Sequence, residues 1–169
     1  MSANDLETTS LRLVPQTRAD VAAMIEAMSP SEKAQLSVDW LARFHASTVP
    51  DPWVHGFRIV HRDSGTAIGN CLFKAPPIEG FVEIAYGLGP EYWGRGYATE
   101  AARAMVEYAF TFAEIRVVRA HTLPAPNAST RVLVKSGFLR VGEVVDPEDG
   151  LVWRFERVRE NDTSLEKKS

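Results

Sequence analysis

Leu11 and Leu13 alternate with Arg12 and are stopped by Pro15, which predicts a first short strand over 11–14. Behind Thr17 and Asp20, the residues Val21, Met24, Ile25 and Met28 recur at helical spacing, and Ser29-Pro30-Ser31 breaks that helix. A second helix is expected next, with Ser31 as its N-cap, Glu32 in its first turn and Leu36, Leu41 and Phe44 on its buried side. The stretch 48–53 carries two prolines and Trp53 and reads as a loop. Residues 57–60 and 66–73 alternate around Asp63-Ser64-Gly65, which predicts an antiparallel hairpin. Pro76-Pro77 interrupts the chain before a fourth strand over 81–88, closed by Gly89-Pro90.

The clearest periodicity follows. Ala98, Ala101, Ala102, Met105, Ala109 and Phe112 form one stripe, and Glu100, Arg103, Glu107 and Thr111 form the opposite one. That is an amphipathic helix laid on a sheet. Residues 115–121 read as a fifth strand, 127–134 as a shorter helix with Gly137 at a left-handed cap position, and 138–145 and 151–158 as a last strand pair. The order is strand, two helices, three strands, helix, strand, helix, two strands. Consecutive strands in that order predict an α/β fold with a mixed sheet of about seven strands flanked by about four helices. One domain is expected over 9–158, between a flexible N-terminus (1–8) and a polar C-terminal tail (159–169).

Composition narrows the class. A chain of 169 residues suits one domain, and its formal net charge of −3 argues against a nucleic-acid partner held by phosphate contacts. The single Cys71 excludes a disulfide framework within the chain and reads as a small core residue. His45, His55 and His61 lack ligand spacing, so no metal site is expected, and Asp146, Glu148 and Asp149 read as turn solvation. With no apolar run long enough for a bilayer, no membrane partner is expected and the location is expected to be cytoplasmic.

Candidate chemistry lies between the fourth strand and the strongest helix, at Trp93-Gly94-Arg95-Gly96-Tyr97-Ala98. Two glycines let a backbone approach a ligand closely, and the first amides of a helix lack internal partners and favour anions. A phosphorylated ligand is therefore expected on the amides of 94–99. The Walker pattern is absent, and a dinucleotide fingerprint would need glycine where Thr99 stands. His61-Arg62-Asp63 spells a kinase triplet but lacks the Asn required where Ile68 stands.

Gly-Pro-Glu-Tyr-Trp-Gly-Arg-Gly-Tyr-Ala-Thr-Glu-Ala (89–101) resembles motif A of the GNAT N-acetyltransferases, and its wording resembles the branch containing ribosomal-protein N-terminal acetyltransferases. Asn127-Ala-Ser-Thr-Arg-Val-Leu-Val-Lys-Ser-Gly-Phe (127–138) is similar to motif B of that superfamily. The resemblance implies the GNAT acyl-CoA fold, splayed between the fourth and fifth strands, with acetyl-CoA as acyl donor. Backbone groups of Ile84, Ala85, Tyr86, Gly87 and Leu88 would then pair with the pantetheine arm. The amides of Gly94, Arg95, Gly96, Tyr97, Ala98 and Thr99, beside Trp93, would hold the pyrophosphate. Asn127 would touch the pantetheine, and Arg131 and Lys135 would reach a CoA phosphate. Trp93 stands where the family usually has Gln or Arg, and Leu133 where many members carry a proton-donating Tyr.

Direct attack of an amine on the thioester needs a proton acceptor, an N–H donor for the acyl oxygen and an acid for the leaving thiolate. Glu83 is the first candidate base, with its pKa expected to rise among apolar neighbours, or else it is a solvent-facing strand position. His121 is the second candidate base or else a structural histidine, Tyr86 is the candidate acid or else lines the pocket, and a backbone amide near Ala85 or Tyr86 is the candidate donor. The expected acceptor is a primary amine, on a small molecule or a protein or peptide N-terminus, in a pocket built from the first helices, the loop 50–53 and the last hairpin. A homodimer is compatible with the branch. The alternatives are a non-enzymatic acyl-CoA-binding module and an enzyme moving another acyl group such as succinyl.

Overall fold

The computed structural model describes residues 5–48, 51–147 and 150–160. Along the chain run β1 (Leu6–Glu7), β2 (Leu11–Pro15), α1 (Arg18–Ala27), α2 (Pro30–Ala34), α3 (Val38–Ala46) and α4 (Pro52–His55). Then come β3 (Phe57–His61), β4 (Ala67–Phe73), β5 (Phe81–Leu88), a 3-10 turn (Pro90–Tyr92) and α5 (Tyr97–Phe110). β6 (Val117–Thr122), α6 (Ala128–Lys135), β7 (Leu139–Asp146) and β8 (Gly150–Val158) complete the order.

The eight strands form one sheet in the order β1-β2-β3-β4-β5-β6-β8-β7. Every neighbouring pair is antiparallel except β5 and β6, which run parallel. Their pairing covers only Phe81, Val82 and Glu83 against Val117, Val118 and Arg119. β4 continues to follow β5 as far as Leu88, while β6 turns to β8. The sheet therefore opens between the two strands after Glu83.

Four expectations change. Leu6 and Glu7, inside the segment expected to be flexible, pair with Leu13 and Arg12 and add an eighth strand. The N-cap of the second helix is Ser29, not Ser31. The Ser29 hydroxyl accepts from the Glu32 amide, and the Glu32 carboxylate accepts from the Ser29 amide, at 3.2 and 2.9 Å. That reciprocal box places Pro30 at the first helical position, where its missing N–H costs nothing. The expected second helix is two helices, because Ser37 caps Trp40 at 3.3 Å and starts α3 afresh. Finally, the stretch read as a loop contains α4: the Asp51 carboxylate accepts from the Trp53 amide at 3.0 Å. Of the expected loop, 49 and 50 lie outside the described residues, as do 148 and 149 of the last turn and 161–169 of the tail.

α5 lies across the sheet with Ala101, Ala102, Met105, Val106 and Ala109 buried against Leu11, Leu13, Phe57, Ile59 and Ile84. Its alanines let the helix axis approach the strands, and each large side chain buried there is worth roughly 1.5–3 kcal/mol. Glu100 does not stay on the solvent face. Its carboxylate accepts from the Thr8 hydroxyl and the Ser10 amide at 2.6 and 2.9 Å, tying the β1–β2 turn to α5. Trp53 packs on Phe73 and Phe112 with ring centroids 4.6 and 5.2 Å apart, so it belongs to the core. The helix start and the open sheet edge are thereby fixed rigidly beside each other.

Candidate active site

Two clefts meet at the opening of the sheet. The first, about 460 Å³, runs from the end of β5 over the loop before α5 to the face of α6. Gly94 and Gly96 there have φ of +77° and +84°, and Gly96 is the N-cap of α5, with no side chain to cap it. Added Cβ atoms at either glycine would meet nothing within 4 Å, so the space above them is open. Tyr97, Ala98 and Thr99 of the first helical turn line the same cleft. So do Trp93 and, from β5, Tyr86, Gly87 and Leu88. Arg131 and Lys135 reach it from α6, one turn apart.

Four predicted residues sit differently, one of them Ala85, which lines the second cleft and not this one. The Arg95 side chain is exposed and does not line the cleft. Ile84 is buried in the core, so only its backbone is available. Asn127 lines the cleft, but its carboxamide oxygen accepts from the Thr130 amide at 3.0 Å and caps α6. Tyr92, Ala128, Ser129 and Val132 were not foreseen. The last three share the face of Arg131 and Lys135, so the helical spacing of the second motif carried that signal.

The backbone of β5 alternates in direction. Glu83 accepts from the Lys74 amide and the Gly89 amide donates to Ile68, both at 2.9 Å, so the odd-numbered residues bond to β4. Ile84, Tyr86 and Leu88 consequently turn their peptide groups toward the opening. The Leu88 carbonyl accepts from the Trp93 indole N–H at 3.0 Å. Of the two amides expected near the acyl oxygen, that of Tyr86 faces the gap and that of Ala85 does not.

The second cleft, also about 460 Å³, lies between β4, β5 and the helices α1, α3 and α4. Ala85 and Glu83 line it, whereas Tyr86 lines the first, so the two clefts adjoin along consecutive residues of β5. Asp146 and Pro147 of the last hairpin close one side, and Asn70, Cys71 and Leu72 of β4, with Lys74 just beyond it, form a floor that periodicity did not assign to a site.

A polar row crosses the mouth of the opening. Glu83 Oε2 is 2.8 Å from His121 Nδ1 and 3.4 Å from Lys74 Nζ. Arg154 Nε donates to His121 Nε2 at 3.0 Å. A guanidinium has only donors, so Nε2 accepts and the imidazole proton sits on Nδ1, pointing at Glu83. Arg154 was not foreseen, because only the pairing of β6 with β8 brings it opposite His121. Burial pushes the Glu83 carboxyl up, as expected. The hydrogen bond from His121 and the charge of Lys74 outweigh it and leave the group below its ordinary 4.5. Tyr86 has no such partner, and burial raises its phenol to about 12.

His55 lines the second cleft but is a buried structural group. Its Nδ1 accepts from the Asp51 amide and its Nε2 faces the Ser47 hydroxyl, each at 3.0 Å. Desolvation holds its pKa below the ordinary 6.5. The unfolded chain therefore binds this proton first, so stability is full above pH 6.5 and falls as pH drops below it. Urea midpoints are expected to decline from pH 7.5 toward about 5.5, with the decline flattened in His55→Gln.

The sequence pattern of the acetyltransferase (GNAT) domain matches residues 2–139. The chain belongs to the GNAT acetyltransferase family. An uncharacterized N-acetyltransferase, p20 of Bacillus licheniformis, is 32% identical over 93 residues, which is 54% of this chain and 52% of that protein. YnaD of Bacillus subtilis, another uncharacterized N-acetyltransferase, is 35% identical over 86 residues, 51% of each chain. The chain thus spans about half the length of the curated relatives it matches. A GNAT acetyltransferase from Bacillus anthracis superposes with a TM-score of 0.68 at 21% identity, covering 93% of this chain and 99% of that one. The aminoglycoside acetyltransferase AAC(6')-Ib, solved in complex with coenzyme A and kanamycin, gives 0.65 at 22% identity, over 92% and 98% of the two chains. The ribosomal-protein-S5-alanine acetyltransferase of Vibrio fischeri gives 0.68 at 14% identity, over 94% and 98%. At these identities the likeness is one of fold. The GNAT fold expected from the two motifs is present, splayed where the resemblance put the opening.

Proposed function

We propose that this GNAT protein is an acetyl-CoA-dependent N-acetyltransferase that acts on a primary amine. The observation that carries the reading is the unpaired edge of β5, which opens between two clefts and has Glu83 beside it. The first cleft fits an acyl-CoA. It offers the helix-start amides with open space above Gly94 and Gly96, the gap-facing peptide groups of Tyr86, and the cations Arg131 and Lys135. When bound, acetyl-CoA supplies the activated acyl group.

The protein's own residues supply placement and proton handling. The second cleft holds the acceptor with its nitrogen near the Ala85–Tyr86 peptide, and positioning alone accounts for several kcal/mol. Glu83 is ionised at neutral pH and attracts the ammonium form of the acceptor; that form releases one proton to solvent before its lone pair attacks the thioester carbon, and Glu83 takes the second proton from the nitrogen as its basicity falls on acylation. His121 keeps Glu83 in place through Nδ1–H, since its other nitrogen is engaged by Arg154. The Tyr86 amide is the donor for charge developing on the acyl oxygen. The Tyr86 phenol, kept protonated by burial, is the acid. A relative of the same fold is described with coenzyme A and kanamycin, and another as acting on a ribosomal protein, so both small amines and protein N-termini belong in the acceptor class to be tested.

The test has two parts. Acetyl-CoA is expected to raise the melting temperature where NAD does not, and thiol release is expected with at least one member of a panel of primary amines. Tight acetyl-CoA binding with no thiol release across the panel would leave a binding module and sink the transferase reading.

A further inference from the structure

The second cleft says what kind of amine it accepts. Apolar side chains, among them Met24, Ile25, Met28, Leu36, Trp40 and Leu72, supply most of its wall. Among the described residues only two carboxylates line it, Glu83 and Asp146, together with one ammonium, Lys74. Glu83 already pairs with Lys74 and His121, and Asp146 is also engaged. Of the neutral polar groups, Gln16 Nε2 donates to the His55 carbonyl at 2.8 Å, Asn70 Nδ2 faces the Met24 sulfur at 3.7 Å, and the Ser37 hydroxyl accepts from the Trp40 amide at 3.3 Å, so none of them adds a negative charge to the cleft. A second or third ammonium on the acceptor would face a mainly apolar wall with Asp146 as the one further carboxylate, and seating it on that wall costs hydration. An apolar group beside the reacting amine would instead meet two flexible methionines, a leucine and an indole, surfaces that adapt to varied shapes.

We infer that the acceptor is a primary monoamine carrying an apolar group of leucine to phenylalanine size next to the amine-bearing carbon, seated on Met24, Met28, Leu36 and Trp40. The inference rests on the transferase reading and deepens it. Two sources share this chemistry: a small alkyl or aryl amine, and a peptide whose first residue is apolar. Polycations such as aminoglycosides and polyamines are excluded as preferred acceptors.

The test measures thiol release by the full chain at fixed acetyl-CoA with leucinamide, 2-phenylethylamine, a tetrapeptide beginning with leucine, glycinamide, spermidine and kanamycin. Apolar pocket contacts discriminate by about 10- to 200-fold, so kcat/KM for the best apolar amine is expected to exceed that for glycinamide, spermidine and kanamycin at least about tenfold. Leu36→Asp is expected to lower kcat/KM for the best apolar amine at least about tenfold and bring it level with glycinamide, with the acetyl-CoA dissociation constant unchanged because Leu36 lies outside the first cleft, and Met28→Asp does the same should the first variant fail to fold. Activity with the peptide but not with leucinamide or phenylethylamine supports the inference with a peptide as source; the reverse supports it with a small amine. Spermidine, kanamycin or glycinamide equal to or better than every apolar amine overturns the inference alone. Release with no amine, acetyl-CoA binding being intact, overturns the transferase reading and the inference with it.

Discussion

Gly96→Asp is expected to weaken acetyl-CoA binding by at least a hundredfold, measured by isothermal titration. Gly96 is the N-cap of α5 at φ +84°, and a Cβ there points into open space. The substitution therefore creates no clash within the protein. It places a carboxylate where the amides of the helix start are proposed to receive a pyrophosphate. Two unit charges about 4 Å apart near a protein surface repel by roughly 4 kcal/mol, close to three orders of magnitude in affinity. Backbone strain is a separate cost, since a side chain in left-handed conformation loses roughly 1–2 kcal/mol. Gly96→Ala carries that strain without the charge. Both variants should melt lower by similar amounts, yet only the aspartate should abolish binding. Wild-type affinity in Gly96→Asp would remove the glycine loop from the site.

Glu83→Gln is expected to lower kcat by about 10²- to 10⁴-fold with the acetyl-CoA dissociation constant unchanged, as for loss of a proton acceptor. The amide preserves the shape and can still accept from His121 Nδ1–H, so the loss is one of charge and basicity. The pH profile adds a second readout. A carboxyl held below 4.5 stays ionised throughout the neutral range. The wild-type rate should therefore show no acid limb from this group until the pH falls below its ordinary value. A limb that comes from the acceptor amine should persist in the variant at reduced amplitude. If both kcat and its profile match the wild type, Glu83 only braces the sheet, and Tyr86 becomes the next residue to change.

What could be read from the chain was local. The loop before α5 and the stripe of α5 show themselves within a few turns of sequence, and so does the face of α6. The reciprocal cap at Ser29 and Glu32 was equally local, and the helix start was misplaced only because Ser31 is also a good cap. Other features depend on contacts far apart in sequence. Leu6 and Glu7 are too short a run to announce a strand; their pairing depends on β2. The downward shift of Glu83 was hidden because its partners come from β4 and β6, and burial alone predicts the opposite sign. Arg154 became visible only once β8 was placed between β6 and β7. Trp93 departs from the family pattern in sequence, yet only the structure gives its indole a task, holding the carbonyl of Leu88.

The three-residue seam between β5 and β6 also bears on how the molecule holds together. On one side lies a five-stranded antiparallel blade, on the other the β6-β8-β7 blade, and each keeps its own ladder of backbone bonds. Such a sheet is two cooperative units joined by a short hinge line and bridged by α5, which packs on β5, and α6, which packs on β6 and on α5. Amide exchange should divide along that line, each blade opening with its own free energy. A ligand lodged in the gap would bond to an edge that neither blade covers, and the two units would then open as one.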